Sequence, residues 1–310
     1  MILHILIFAR PKNVSGPISS SPVDNSSTSV NIELLREATE KLGHELRVIY
    51  DYDCQMKFIG STGLCIRGYN LKDIKVILVK ANLNGAKMQF RHTLIKQFEL
   101  AGVNVINKEE SVMNAKNKLC TLQLMSAHNI PIPKTYVINH SENLEEALVD
   151  IGGFPVILKA PSGSQGSGVS IIESKRSLRS VLQMTEQTDP VIIQEYIKES
   201  TGKDIRVFIV GNKIIGAMER VATKRDEFRS NFQLGGKVLV TKLSDYEKKI
   251  SLSAVKACGL DMAGVDILRA KSGPKIIEVN ANPGLEGITQ ATGKDIAGEI
   301  IKYMMKRVGK

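Results

Sequence analysis

Late in the chain, two carboxylates and an amide recur at a spacing that could gather hard cations. Asp266 lies in Gly264-Val265-Asp266-Ile267-Leu268-Arg269, and Glu278 and Asn280 lie in Ile276-Ile277-Glu278-Val279-Asn280. Both runs read as strands, and a period of two puts Glu278 and Asn280 on one face. If the runs pair across the hairpin signal Lys271-Ser272-Gly273, Asp266 can face the same side. Carboxylates among apolar strand residues are costly unless a cation satisfies them. Oxygen donors of this kind suit Mg²⁺ or Mn²⁺. The competing reading is a solvent-facing strand with scattered polar residues, which the apolar neighbours disfavour.

Three other segments could act on anions. Lys159-Ala160-Pro161-Ser162-Gly163-Ser164-Gln165-Gly166-Ser167-Gly168-Val169 joins two strand-like runs. Its small residues let backbone N–H groups approach phosphate oxygens, and Lys159 adds a cation beside the loop. It is no Walker loop, because Lys-Ser/Thr does not follow the last Gly. An ordinary flexible hairpin is the equal alternative. Asn280-Ala281-Asn282-Pro283-Gly284-Leu285-Glu286-Gly287 reads as turns after the acidic strand, either a plain loop or backbone donors beside the site. Phe228-Arg229-Ser230-Asn231 is a basic-polar loop, with Arg206 and Arg220 on neighbouring strands. Such arginines could grip a phosphoryl group or a carboxylate bidentately, though a single Arg is more often a solvated surface group.

These segments need a scaffold. The first hundred residues alternate strands (Met1–Ala9, Leu46–Tyr50, Ile74–Val79, Val103–Ile106) with helices (Ile32–Leu42, Phe90–Ala101), the pattern of a parallel α/β sheet. Ser15–Ser29, rich in Ser, Pro and Asn, reads as a surface loop or one that closes over substrate. A second α/β unit follows, from a helix at Lys116–His128 to one at Lys175–Glu186. The remainder is strand-rich: Val191–Glu195, Ile205–Val210, Ile214–Arg220, Ala263–Arg269 and Lys275–Asn280. A polar break at Ala222–Gly236, a helix at Asp245–Ala257 and a final helix from about Asp295 complete it. The expected domains are 1–112, 113–193 and 194–310.

Composition narrows the function. The chain has 310 residues, 43% hydrophobic and 24% charged, which excludes disorder and chain-long coiled coil. Its apolar runs are strand-sized, so no membrane span is expected. Four cysteines without Cys-x-x-Cys spacing read as free thiols of a reducing cytosol, hence a cytoplasmic protein. Five histidines show no zinc-ligand spacing. The formal charge of +10 lies mostly in residues 194–310, which carry 21 Lys and Arg against 14 Asp and Glu. That excess suits anionic partners.

Taken in order, Lys118, Lys159 with its glycine loop, Gln194-Glu195-Tyr196-Ile197, Asp204-Ile205-Arg206, Phe228-Arg229-Ser230-Asn231, the Asp266 strand and Glu278-Val279-Asn280 strongly resemble the ATP-grasp superfamily. Pro283-Gly284-Leu285-Glu286-Gly287-Ile288, Ala291-Thr292-Gly293 and Asp295-Ile296-Ala297 resemble the RimK-type α-L-glutamate ligases within it. The resemblance runs from about Lys116 to the end. It implies an α/β chain of the α+β ATP-grasp kind. Its parts would be an N-terminal parallel α/β domain, a small central lid and a C-terminal sheet domain, with ATP between the last two. It implies that Lys118, Lys159, Ser164, Gln165 and Gly166 contact ATP, that Glu195, Tyr196 and Ile197 form the adenine hinge, and that Asp204 binds the ribose. Arg229, Ser230 and Asn231 would lie by the γ-phosphate, with Arg229, Asn231 and Arg220 catalytic. Asp266, Glu278 and Asn280 would bind two Mg²⁺ or Mn²⁺. Asn117 departs from the pattern, since relatives often carry Asp before the lysine.

The implied reaction is ATP-dependent carboxylate–amine ligation through an acyl phosphate, releasing ADP and phosphate. The implied partners are L-glutamate and an acceptor bearing a free carboxylate, either a protein C-terminus, such as that of a ribosomal protein, or a small molecule. Homodimers or homotetramers are the implied assemblies. The alternative within the superfamily joins a different amino acid or peptide to a carrier protein or cofactor tail. A nucleic-acid binder would also account for the charge, but only 5% of residues are aromatic and no nucleic-acid motif is present, so contact with nucleic acid is expected only through a ribosomal acceptor. A silent nucleotide sensor is disfavoured because every expected metal ligand is there.

Overall fold

The computed structural model describes residues 1–8, 27–59, 61–80, 83, 87–138, 144–160, 168–184, 190–223 and 236–308. The strands β1 (Ile2–Ile7), β2 (Glu45–Tyr50), β5 (Val76–Lys80) and β6 (Asn104–Ile106) form a parallel sheet in the order β2-β1-β5-β6. Helices α1 (Ser27–Lys41) and α2 (Met88–Leu100) cover it, because β1 and β5 are apolar on both faces. Helix α1 starts five residues before the expected Ile32, and the Ser-rich loop up to residue 26 lies outside the described residues. A hairpin of β3 (Cys54–Ile59) and β4 (Ser61–Ile66) was not expected. It forms its own two-stranded sheet, and Phe58 and Ile59 stay exposed, so no clean alternation marks it in the sequence.

The helix expected at Lys116–His128 is α4 (Lys118–Ala127), and a helix that was not expected, α3 (Glu109–Lys116), precedes it. Asn117 between them is extended, and its side chain accepts from the amides of Leu119 (3.0 Å) and Cys120 (3.4 Å). It is therefore the N-cap of α4, a position where Asn and Asp serve equally.

The second sheet holds β7 (Thr135–Ile138), β8 (Val156–Lys159), β9 (Val169–Ile172) and β10 (Val191–Glu195), antiparallel in the order β7-β10-β8-β9. Helices α5 (Leu144–Ile151) and α6 (Lys175–Met184) bury Ala147, Leu148 and Leu178 against it. Strand β10 pairs wholly within this sheet, so the unit runs to Glu195, two residues past the expected 193.

The third sheet holds β11 (Lys203–Val210), β12 (Lys213–Val221), β13 (Lys237–Val240), β14 (Met262–Ala270) and β15 (Gly273–Asn280), in the order β13-β12-β11-β14-β15. Helix α7 (Asp245–Ala257) starts at a capping box of Ser244 and Glu247. Strand β13, and helix α8 (Glu286–Thr292) where only turns were expected, were not legible from the pattern; α9 (Ile296–Val308) matches the final helix. One face of this sheet packs Ile205, Val207, Val265, Ile267 and Val279 around α7. The other face is divided. At one end Phe208, Val210, Met218 and Met262 join α8, α9 and the first sheet in a shared core. At the other end the same face turns polar. No described helix is long and apolar enough to cross a membrane.

Three side chains of the N-terminal domain fasten the third sheet's end. Asn107, fully buried just after β6, donates to the carbonyls of Met262 (2.7 Å) and Ala281 (2.9 Å). Its Oδ1 accepts from the amides of Asp261 and Met262, both at 2.8 Å. Lys80, at the end of β5, donates to the carbonyl of Pro283 (2.8 Å), and Asn31 in α1 accepts from the amide of Leu285 (2.7 Å). Because Asn107 uses both its donor and acceptor ends, Asn107→Asp puts an oxygen against two carbonyls. We expect it to destabilise the fold by about 3 kcal/mol at neutral pH, read as a lower urea midpoint with an unchanged slope.

Candidate active site

Pairing across β11, β14 and β15 sets the site. Arg206 lies directly opposite Asp266, and Asp266 directly opposite Glu278, so the three form one row on the polar half of the third sheet. Asp204 and Arg220, opposite each other on β11 and β12, form the next row. Asn280, two residues past Glu278, faces Gly264. This face therefore brings together six residues named from the sequence, Asp204, Arg206, Arg220, Asp266, Glu278 and Asn280.

The four inner groups are a closed ion ladder. Arg206 grips Asp266 with two nitrogens: Nη2 lies 2.8 Å from Oδ2, and Nε closes on Oδ1. Arg220 grips Asp204 in the same way at 2.7 and 2.5 Å, and also reaches Asp266 Oδ2 at 2.8 Å. All four side chains are buried. Burial alone would raise the Asp266 carboxyl, but Arg206 and Arg220 outweigh it and hold the group below the usual carboxylate range. Arg220 stays charged against the cost of burial because both aspartates flank it. Arg206 and Arg220, expected to hold substrate carboxylates, hold the protein's own instead.

Gly264 makes room for this. A Cβ there would lie 2.8 Å from Cδ of Arg206 and 3.0 Å from Cβ of Pro283. The missing side chain lets the guanidinium stem pass between the strand and the turn that follows β15.

Lysines face the acidic row from the other elements. Lys159 ends β8 of the second sheet and donates to Gln194 Oε1 at 2.7 Å. Burial draws its ammonium down to about 8, while the charges of Glu278 and Asp266 pull it back up. Lys118, first residue of α4, is lowered by burial and opposed by Glu278. Lys116, which sequence reasoning missed, is lowered by burial and by Lys118, again with Glu278 opposing. Cations from α3, α4 and the second sheet thus share one space with the carboxylates of the third. Lys116 meets Glu278 only in the fold, so the linear sequence leaves no signal for it.

The remaining expected residues sort by position. Glu195, Tyr196 and Ile197 link β10 of the second sheet to the third. Glu195 exchanges backbone and side-chain bonds with Lys134, its amide donating to the Lys134 carbonyl at 2.8 Å. Tyr196 bonds Thr201 through its hydroxyl (2.6 Å), and Ile197 is buried. Ser164, Gln165, Gly166, Arg229, Ser230 and Asn231 lie outside the described residues.

The donor set fits a divalent ion of a particular kind. No cluster of three His, Cys, Asp or Glu forms a self-sufficient metal cage among the described residues. Two carboxylates and an amide oxygen suit Mg²⁺, which takes one or two carboxylates and completes its shell with water and phosphate oxygens. Asn280 Oδ1 accepts from the amide of Asn282 (2.8 Å), which orients it and leaves its second lone pair.

Residues 115–304 match the RimK-like ATP-grasp domain family. A probable alpha-L-glutamate ligase of Marinomonas sp. (strain MWYL1) is 41% identical over 274 residues, 88% of this chain and 90% of that protein. A probable alpha-L-glutamate ligase 2 of Shewanella denitrificans is 36% identical over 309 residues, 99% of this chain and 96% of that protein. Among solved structures, the ATP-grasp ligase PsnB complexed with minimal precursor, Mg and ADP superposes with a TM-score of 0.74 at 18% identity, covering 98% of this chain and 97% of that one. The D-alanine–D-alanine ligase of Bacillus anthracis gives 0.66 at 19% identity, over 99% and 96% of the two chains. These structural likenesses carry the fold.

Removing one member of the ladder strands charges in a dry site. Arg220→Ala leaves Asp204 and Asp266 facing each other without their shared cation, and we expect a loss of about 4 kcal/mol, measured as a lower denaturation midpoint. Arg220→Lys should recover only part of it, since one ammonium cannot reproduce the fork.

Proposed function

This chain belongs to the RimK-like ATP-grasp family, ATP-dependent ligases that form C–N bonds, and from that premise we propose that it adds L-glutamate to an acceptor carboxylate through an acyl phosphate. The observation that carries the reading is the meeting of Lys118 and Lys159 with the Arg206–Asp266–Glu278 row, a space with anion-binding groups on one side and cation-binding groups on the other. A carboxylate and a triphosphate repel each other, so any site that joins them must supply both kinds of group.

In this proposal Lys118 and Lys159 contact the phosphates of ATP, together with the glycine loop that contains Ser164, Gln165 and Gly166. Glu195, Tyr196 and Ile197 border the adenine, at the link between the two sheets that enclose the nucleotide. Asp204 reaches the ribose through lone pairs that Arg220 leaves unused. Asp266, Glu278 and Asn280 hold divalent ions, which neutralise the triphosphate and polarise the transferring phosphoryl group. Arg206 fixes the Asp266 carboxylate, and Arg220 holds it from the second side. Arg229 and Asn231 complete the site by the γ-phosphate.

The chemistry follows in two displacements. An acceptor carboxylate oxygen attacks the γ-phosphorus, its bond to the β-phosphate oxygen breaks, and ADP leaves. The glutamate amine then attacks the acyl carbon, loses its proton and expels phosphate, leaving an amide. Each step moves negative charge onto oxygens near the lysines and arginines, which were paid for at folding and need not reorganise. A cytoplasmic setting accords with four unpaired cysteines, two of them buried. The second reading, a different amino acid joined to a carrier or cofactor tail, keeps every step and changes only the amine.

Incubating the protein with ATP, Mg²⁺, glutamate and candidate acceptors, followed by mass spectrometry, tests the reading; an acceptor gaining glutamate residues supports it, and ADP release that depends on another amino acid favours the second reading. Asp266→Ala and Glu278→Ala should each abolish amide formation, and unchanged turnover in either would refute the metal assignment. Lys159 loses its charge as pH rises through about 8. ATP affinity should therefore fall about tenfold from pH 7 to pH 9.5 by calorimetry, and Lys159→Arg should flatten that fall.

A further inference from the structure

The turn after β15 is held from the N-terminal domain in a regular way. Its backbone groups at Ala281, Pro283 and Leu285, every second residue, bond Asn107, Lys80 and Asn31 of the N-terminal domain. The residues just before them, Glu278 and Asn280, belong to the acidic site. Pro283 itself packs beside Gly264 and the Arg206 stem, so its position bears on the Arg206–Asp266 pair as well.

Of the three clamps, Lys80 is the one whose chemistry exceeds its task. It is buried, and its one bond among the described residues goes to a neutral carbonyl. Burial draws its ammonium down to about 7, and no carboxylate among the described residues opposes it. A methionine would fill nearly the same volume without that cost. Asn31 and Asn107 already hold the ends of the turn, so the fold does not need a cation at its middle.

We propose that Lys80 is a positioning residue of the ligase reaction: its ammonium draws the Pro283 carbonyl against the N-terminal sheet, and so fixes the turn that aims Asn280 and seats the Arg206–Asp266 pair. This rests on the reading that the acidic row is the reacting site. Fold and function then respond to its removal with opposite signs, as groups kept at a cost in stability do.

The test compares Lys80→Met and Lys80→Arg with the unaltered protein by thermal unfolding, by hydrogen exchange at the Asn282 and Gly284 amides, and by steady-state kinetics. For Lys80→Met we expect an unfolding temperature equal to or above that of the unaltered protein, exchange at both amides faster by about tenfold, kcat lower by about tenfold and KM for ATP within about threefold. Lys80→Arg, which can still donate to the carbonyl, should recover most of kcat. A fall in unfolding temperature that parallels the fall in kcat makes Lys80 merely structural and overturns the proposal, as does unchanged kcat or unchanged exchange. If the unaltered protein catalyses no ligation, the ligase reading fails separately. The positioning role of Lys80 is then decided by exchange alone: magnesium and ADP together must slow the Asn282 and Gly284 amides in the unaltered protein and not in Lys80→Met.

Discussion

One carboxylate organises the site. Asp266 is shared by two guanidinium groups, Arg206 beside it on β11 and Arg220 one strand farther, and a second aspartate completes the set. A dry sheet face could not hold any one of these charges alone. Held together, they allow a strongly polar patch to sit buried against a hydrophobic core. The same constraint accounts for Gly264, which lies where the Arg206 stem must pass.

The same sheet face does two jobs along its length. Phe208 and Val210 follow Arg206 at the period of two, so two steps of one alternation lead from the charged site into the core shared with α9 and the first sheet. The N-terminal domain is therefore joined to the C-terminal sheet by a continuous apolar interior, and at its rim by the polar clamps at Asn31, Lys80 and Asn107. The second sheet attaches differently, through the short link from Glu195 to β11 and the electrostatic meeting of Lys159 with Glu278 and Asp266. A domain fixed by packing and a domain fixed by charge are suited to different motions.

Much of this was legible in the residues. The period of two put Glu278 and Asn280 on one face, and the hairpin signal at Lys271-Ser272-Gly273 put Asp266 opposite, as the register has it. Strands of β-branched residues bounded by Gly and Pro marked most elements. What escaped had a common cause. β13 is exposed, and the β3–β4 hairpin buries Cys54, Leu64 and Ile66 at its base while Phe58 and Ile59 toward its tip are exposed, so apolar residues on it do not mark one face. The break at Asn117 was hidden because a capping residue is defined by the amides it serves, not by its neighbours in sequence. Arg206 and Arg220 looked like ligands for substrate because a single strand shows a cation and conceals its partner on the next. Lys116 and Lys80 gave no signal at all, since each acquires its role from chain segments far away.

Strand β15 carries one more residue than its partner requires. Asp266 faces Glu278 while Ile267 faces Ile276, so Ile277 stands unpaired between them. This extra residue resets the reading frame of the strand. Toward the hairpin tip Ile276 points into the α7 core, and beyond the bulge Glu278 and Asn280 point into the site. Without the bulge Ile276 and Glu278, two residues apart, would share a face, and the strand could not both fill the α7 core with Ile276 and present Glu278 to the site.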